Sequence, residues 1–359
     1  MKINFILPSF PLCPIGGYKI MYEYANLFAE NGYDVAVYHV MTLKYVSSYN
    51  IPHFLRVLRC KLLYPHASPD WFNLNTNIHS FHIPKLKNKY VRDADIVIST
   101  MYATALELNA LSDKKGEKIN FIQGYELWIA DYKDLLYKSY CLPITHVVIA
   151  DYLADIVENV SGKRPFVIYN GIDPSVFYIN KPIEKRFSHS ISMLYSEADN
   201  VKGTSWGLEA LRICHQKVQD INIQLFGVYP RPKGLESWFQ YHRRPENLRD
   251  IYNSVSIFLS PSVTEGWDLT STEAMFCGCA LICTDIPGHA VYAKNKRTCL
   301  LVSPKNSEDM AEKLLELLDN DNLRCSLAKS GNEFIHQFSS NISYKKMERL
   351  FKDVIMLNI

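Results

Sequence analysis

Two carboxylates make the strongest chemical signal in this chain of 359 residues. Glu265 and Glu273 are separated by the turn Gly266-Trp267-Asp268 and a helix start. Upstream, Ile257-Phe258-Leu259-Ser260 reads as a buried strand running into a Pro261-Ser262 loop; downstream, Ala280–Cys283 reads as a second buried strand. Strand, loop, helix and strand put Glu265 on the loop and Glu273 in the first helical turn, beyond a strand's carboxyl end, where open α/β sheets bind ligands. Thr270-Ser271-Thr272-Glu273 also spells a capping box, with Thr270 as N-cap. Glu273 therefore has a structural reading worth about 1 kcal/mol. A second feature is Gly16-Gly17, just before a helix N-terminus, where free N–H groups and the helix dipole suit an anion such as a diphosphate. Plain turn chemistry is the competing reading of that pair.

The elements that must position these residues alternate along the chain. Lys2–Leu7 and Val35–Val40 read as strands flanking a helix over Tyr18–Asn31, with Ile20, Met21, Tyr24, Leu27 and Phe28 on one side. Asp95–Ser99, Ile119–Ile122 and His146–Ala150 continue the strands, with helices expected over Tyr102–Leu111, Ala130–Tyr140 and Asp151–Val160. Such alternation means a parallel sheet covered on both faces. Phe166–Asp173 runs into an Asn170-Gly171 turn, and Pro174, Pro182 and polar residues follow to about Ser190, which marks a domain boundary. A second series then opens: strand Ser192–Tyr195, a loop over Asp199–Gly203 with Lys202, helix Ser205–Cys214, strand Ile221–Phe226 and helix Glu246–Asn253. Helices over Asp309–Asp319, Asn322–Phe338 and Tyr344–Leu357 close the chain.

The fold class is thus α/β, with two Rossmann-like domains facing across a cleft. The expected boundaries are 1–168, a linker at 169–190, 191–335, and a C-terminal helix over 336–359 that packs back on the first domain. A ligand site between two such domains is the default expectation.

Composition narrows the rest. At 48% hydrophobic and 21% charged, the chain is neither disordered nor fibrous, and a net charge of +2 is no nucleic-acid signature. The nine cysteines show no zinc spacing; they read as buried free thiols in a reducing cytoplasm. The first residues form a strand rather than a signal segment, and no apolar run reaches the roughly 18 residues a membrane span needs. Charge is most lopsided between Lys44 and Arg92, where eight cations face only Asp70. Within it, Ile51, Phe54, Leu55, Leu58 and Leu62 share one helical stripe flanked by Arg56, Arg59 and Lys61, with His53 opposite. A basic amphipathic helix suits an anionic membrane surface; an ordinary packed helix with a solvated face is the alternative.

Taken together, these residues resemble the GT-B glycosyltransferases, specifically the retaining family 4. The resemblance rests on Gly16-Gly17, Tyr169-Asn170-Gly171-Ile172-Asp173 with Phe177, Lys202-Gly203, Leu225-Phe226-Gly227, and Glu265-Gly266-Trp267 followed by Glu273-Ala274-Met275 and Gly278. It implies a nucleotide-sugar donor and a glycan or lipid-linked acceptor, in polysaccharide or lipopolysaccharide biosynthesis on the inner face of the cytoplasmic membrane. No metal, cofactor or nucleic acid is implied. Lys202 would neutralise the diphosphate, preorganised charge at a developing anion being usually the largest catalytic effect. Gly16 and Gly17 would offer backbone N–H groups to the same phosphates. Glu265 would hold hydroxyls of the transferred sugar with the backbone of Gly266, Trp267, Asp268, Leu269 and Thr270. Glu273 would accept the ribose hydroxyls, and Asn170 belongs to the same donor-binding set. Gln123 stands where many members carry histidine, and Glu126 is the candidate for an acceptor-facing or positioning role.

Two departures qualify that resemblance. Glu197 falls near the place of a phosphate-binding arginine, with Arg231, Arg243 and Arg244 as unranked substitutes, and Asp268 replaces a usual glycine. Glu197 keeps a second class of function open: an inactive, transferase-like scaffold in a glycosyltransferase complex. A nucleotide-sugar epimerase on the same architecture is disfavoured by the paired glutamates.

Overall fold

The computed structural model describes residues 1–46, 52–126 and 133–357. It divides into two compact units, residues 1–169 with the chain from Tyr344 onward, and Asn170–Ser343. In the first, β1 (Lys2–Leu7), β2 (Asp34–Val40), β3 (His79–Ile83), β4 (Ile96–Ser99), β5 (Glu117–Ile122), β6 (Thr145–Val148) and β7 (Phe166–Val167) make one sheet in the order β3-β2-β1-β4-β5-β6-β7. Every pairing is parallel. The crossovers carry α1 (Gly16–Glu30), α2 (His53–Leu63), α3 (Tyr102–Leu108), α4 (Lys133–Tyr140) and α5 (Asp151–Ser161). Ile3, Val35, Val37, Ile96 and Val97 are fully buried, as strands covered on both faces require.

The second unit repeats the plan. Strands β8 (Ser190–Leu194), β9 (Asn222–Gly227), β10 (Phe239–Arg243), β11 (Ile257–Ser260), β12 (Ala280–Thr284) and β13 (Cys299–Val302) run β10-β9-β8-β11-β12-β13, again all parallel. Helices α6 (Asp199–Lys202), α7 (Thr204–Lys217), α8 (Leu248–Ser254), α9 (Leu269–Phe276), α10 (Ser307–Asp319) and α11 (Asp321–Ile335) precede α12 (Ser340–Met356). Leu211, Leu314 and Leu327 from the helices close over Ile191, Leu225, Ile257 and Ile282 of the sheet. Farther along, α12 stacks Phe351 on Phe28 of α1 with ring centroids 5.0 Å apart.

In both sheets the strand order reverses at one place, between β1 and β4 and between β8 and β11. Loops leaving the two strands at such a switch diverge and open a crevice. Lys202 follows β8 and Glu265 follows β11, so the strand order of the sheet brings both to one crevice of the second unit.

Several local expectations are corrected. Gly16 and Gly17 are not a turn before α1 but its first residues. Asp199–Lys202 is a helical turn rather than a loop, ended by Gly203 at φ 62°; a Cβ at Gly203 would run into the Pro261 carbonyl. The short apolar strand β13 was not expected, and neither were β3 and β10. Strands β3 and β10 are edge strands, and H-S-F-H-I and F-Q-Y-H-R carry the polar residues that a half-solvated edge permits, so neither shows a continuous apolar run. The expected helix from Ala130 is seen from Lys133; residues 130–132, like Ile51 of the apolar stripe, lie outside the described residues. Of the cysteines, five are buried and free, but Cys141 is exposed.

Candidate active site

The Lys202 ammonium donates to Glu265 Oε1 at 2.5 Å, and the Ser262 hydroxyl donates to the same oxygen at 2.8 Å. Backbone contacts fix the loop that carries the acid: the N–H groups of Val263 and Thr264 donate to the Val201 carbonyl at 2.8 and 3.2 Å. On its other side Gly288 packs so tightly that a Cβ there would meet the Glu265 carbonyl. Glu265 is the more enclosed partner, its side chain 8% exposed against 27% for Lys202. Burial raises the Glu265 carboxyl, opposed by Lys202 and reinforced by Asp268. For Lys202, burial acts downward, but Glu265 and Asp268 outweigh it and the net shift is upward. The pair is ionic, with a cation whose outer face reaches solvent.

Asp268 carries a different load from the one expected. Its buried carboxylate accepts from Ser260 Oγ at 2.6 Å, Ser271 Oγ at 2.5 Å, and the Thr270 N–H and hydroxyl at 3.0 and 2.7 Å. His289 Nε2 lies 3.7 Å away, while His289 Nδ1 is 2.8 Å from the Thr284 carbonyl. Burial alone would raise the Asp268 carboxyl, but Lys202, His289 and the two serine hydroxyls hold it down at about 2. Asp268, not Thr270, is the N-cap of α9. The expected capping box is therefore not formed. Glu273 instead lies buried along α9, accepting from the Tyr252 hydroxyl at 3.1 Å.

The neighbouring positions divide between surface and core. Gly266, Leu269 and Thr270 are partly exposed, whereas Trp267 is turned inward against Tyr292 and Phe338, with centroids 5.3 and 5.5 Å away. Asn170 is buried with an unpartnered Oδ1. The adjoining Gly171 leaves no room for a Cβ against the Ser340 backbone, and Ile172 pairs with Ser339. Of the three candidate arginines, Arg231 is occupied by the carbonyls of Phe239, Leu235 and Glu236. Arg243 and Arg244 are exposed at the carboxyl end of β10, and Glu197 is exposed after β8.

The first unit assembles its own set. Among the described residues no side chain caps α1, which leaves the backbone donors of its glycine end uncapped there. Gln123 Nε2 donates to the Gly17 carbonyl at 3.0 Å and to Thr100 Oγ1 at 3.1 Å, bracing that end from β5. Glu126 accepts the Tyr102 N–H at 2.9 Å, at the start of α3. Its burial lifts the carboxyl from 4.5 to about 7, with the Tyr102 hydrogen bond opposing. Between those pH values the folded chain holds a proton that the unfolded chain has lost, so Glu126 makes stability fall as pH rises through that window. The Glu126→Gln variant, which keeps an acceptor for Tyr102, is expected to show a smaller loss of Tm between about pH 5 and pH 8 than the parent, read by differential scanning fluorimetry.

His289, Ser260, Ser262 and Tyr252 were not singled out from sequence. Each acts through the fold, and no local motif announces them. Among the described residues, no three His, Cys, Asp or Glu side chains converge as a metal site.

This pairing of a lysine after one switch-point strand with a glutamate after the other accompanies a match between residues 190–320 and the family model for glycosyl transferases group 1. Over residues 190–320 the chain is thus similar to a group 1 glycosyl transferase domain. That stretch contains Lys202, Glu265 and Glu273 together, and the N-terminal unit lies outside the match. An uncharacterized glycosyltransferase of Methanocaldococcus jannaschii is 23% identical over 203 residues, 54% of this chain and 55% of that protein. The N,N'-diacetylbacillosaminyl-diphospho-undecaprenol alpha-1,3-N-acetylgalactosaminyltransferase of Campylobacter jejuni is 31% identical over 109 residues, 30% of this chain and 29% of the relative. The chain thus spans about half the length of one curated relative and under a third of the other. Sucrose-phosphate synthase from Thermosynechococcus elongatus superposes with a TM-score of 0.73 at 14% identity, covering 99% of each chain. HepE from Anabaena, solved with UDP, gives 0.72 at 14% identity over 98% of this chain and all of its own. The fold beside this group 1 similarity is GT-B.

Proposed function

We propose that this protein transfers a sugar from a nucleotide-sugar donor to a glycan or lipid-linked acceptor, with retention and without a metal, in cell-surface polysaccharide or lipopolysaccharide synthesis. The observation that carries the reading is the Lys202–Glu265 pair at the switch point of the group 1-like stretch. An ammonium has three N–H donors; one is engaged by Glu265, so Lys202 can remain paired while it meets a diphosphate from its exposed side. Glu265 then accepts hydroxyls of the sugar, and Glu273 accepts those of the ribose. In the transfer step the C1–O bond to the diphosphate breaks and the leaving phosphate takes its electrons. The acceptor oxygen bonds to C1 on the same face, and its proton passes to the departing phosphate. Lys202 serves the charge that develops there.

The test is release of nucleoside diphosphate from a panel of UDP-, GDP- and dTDP-sugars. Turnover with one donor or a small set is expected, unchanged by a chelator. Donor binding without turnover on any acceptor would favour the scaffold reading, which the exposed Glu197 keeps in view.

The acceptor's location draws on α2. Phe54, Leu58, Leu62 and Leu63 are 61%, 52%, 72% and 60% exposed, in a helix that also presents Arg59 and Lys61. An apolar stripe left in water beside cations fits a peripheral seat on anionic lipid, each nearby cation adding about 1 kcal/mol. No described helix is long and apolar enough to cross a membrane. Phosphatidylglycerol vesicles are expected to co-sediment the protein at low salt, and a Phe54→Ser, Leu58→Ser, Leu62→Ser variant to stay in the supernatant with its Tm unchanged. Equal sedimentation of parent and variant would remove α2 from the account.

A further inference from the structure

Immediately after α2, the chain curls round an open cavity of about 630 Å³ lined by residues of the segment Leu63–Asn73. Its walls combine the rings of Tyr64, Trp71 and Phe72 with the polar side chains of His66, Asp70 and Asn73. A volume in this range, with three aromatic residues among several polar ones in the lining, is of the size that a small polar molecule would need. The cavity is also built, not merely folded over. Trp71 Nε1 donates to the Pro11 carbonyl at 3.1 Å, and Asn26 holds the far side through the Asn73 carbonyl at 2.9 Å and the Asn75 N–H at 2.8 Å. Ser80 Oγ donates to the Ala67 carbonyl at 2.8 Å, and His82 Nε2 sits 3.0 Å from the Tyr64 carbonyl. Tyr64 and Phe72 lie on Phe10 and Tyr22, with centroids 4.7 and 5.2 Å apart. Ala67 takes φ 49° at the centre of the curl and is buried. None of these groups takes part in the proposed transfer step.

We infer that this cavity binds a neutral saccharide, the sugar portion of a membrane-held acceptor. The inference rests on the transferase reading for the identity of its occupant. Three observations select the chemistry. Flat aromatic rings offer apolar faces to the C–H face of a pyranose, with a polar edge left for its hydroxyls. Asp70 and Asn73 supply a carboxylate and an amide, which together accept from and donate to adjacent hydroxyl groups. Although the surrounding stretch is strongly basic, the cavity lining contains no lysine or arginine and does contain the stretch's one acid. A phosphate would be repelled by Asp70 and find no lysine or arginine in the lining, so the site suits a sugar without charge. Its position supplies the membrane link: Leu63 is both the last residue of α2 and part of the lining. A glycolipid with its tail along the exposed stripe would bring its first sugars to this cavity.

The experiment is saturation-transfer NMR on the full chain with methyl glycosides of hexoses and N-acetylhexosamines and their disaccharides. At least one neutral sugar is expected to bind in the millimolar range, about −4 kcal/mol. The Asp70→Ala and Asn73→Ala variants, both altered at exposed side chains, should bind that sugar about tenfold more weakly, the loss of one or two hydrogen bonds to a polar partner. Both should release nucleoside diphosphate from donor into water at the parental rate. The site is overturned if no sugar shows transfer at about 50 mM, a concentration that would occupy any millimolar site, or if both variants bind as the parent does. It is also overturned if a phosphorylated sugar outcompetes its neutral form. Saccharide binding in a protein that turns over no donor would refute the transferase reading and leave the saccharide site standing.

Discussion

Replacing Glu265 with alanine is expected to lower turnover by about 10²–10³-fold while the protein remains folded. The size follows from what the carboxylate touches. It is enclosed, held by Lys202 and Ser262, and presented on a loop whose backbone is fixed independently by Val201 and by the packing of Gly288. Those backbone contacts survive the substitution, so the loop keeps its course. The stranded partner is Lys202, whose side chain is 27% exposed and can recover its lost interaction from water. The stability cost is therefore that of a part-exposed ion pair, about 1 kcal/mol. The Glu265→Gln variant, which keeps an acceptor for Ser262, separates charge from shape and should be almost as slow. Donor turnover measured beside the thermal midpoint checks both halves. Unchanged transfer in Glu265→Ala would end the proposed mechanism.

Lys202→Met is expected to behave asymmetrically to this. It removes the lysine that pairs with the more buried Glu265 and that also acts on the buried carboxylate of Asp268. Turnover and donor affinity should both fall, together by about 10²–10³-fold, because the lysine serves bound donor and departing phosphate alike. Unlike the Glu265 variant, this one should also be destabilised by about 3 kcal/mol, the typical cost of leaving a buried charge unpaired. Lys202 also lowers both carboxyl groups. Its loss should lift them, so the variant should regain stability as pH falls and the acids take up protons. Adding Glu265→Gln to Lys202→Met should restore part of the loss, with a coupling of about 1–3 kcal/mol in a double-mutant cycle of denaturation midpoints. Additive stabilities would mean that the two side chains do not depend on each other.

The sequence by itself determined the architecture and most of the chemical inventory. Buried parallel strands must be short apolar runs, because both their faces are covered, and ten of the strands announce themselves in that way or through a following turn. Glu265 stood out because a carboxylate on a loop between a strand and a helix, unlike Glu273, has no capping role to account for it. Edge strands β3, β10 and β13 were not read; in β3 and β10 an open edge tolerates the polar residues that break the signal, a reason that does not extend to the apolar β13.

What only the tertiary structure decided are matters of contact between distant residues. That Lys202 reaches Glu265 depends on strand order, which places β8 beside β11 although β9 and β10 intervene in the chain. That Asp268 caps α9, while Glu273 accepts from Tyr252 instead, depends on Ser260 and His289 closing round the Asp268 carboxylate. A capping box and an aspartate one turn earlier are both sound local solutions, and burial chose between them. The stripe on α2 was visible as a helical period, but periodicity states which residues share a face and not what covers it. Exposure is a property of neighbours, and those come from elsewhere in the chain.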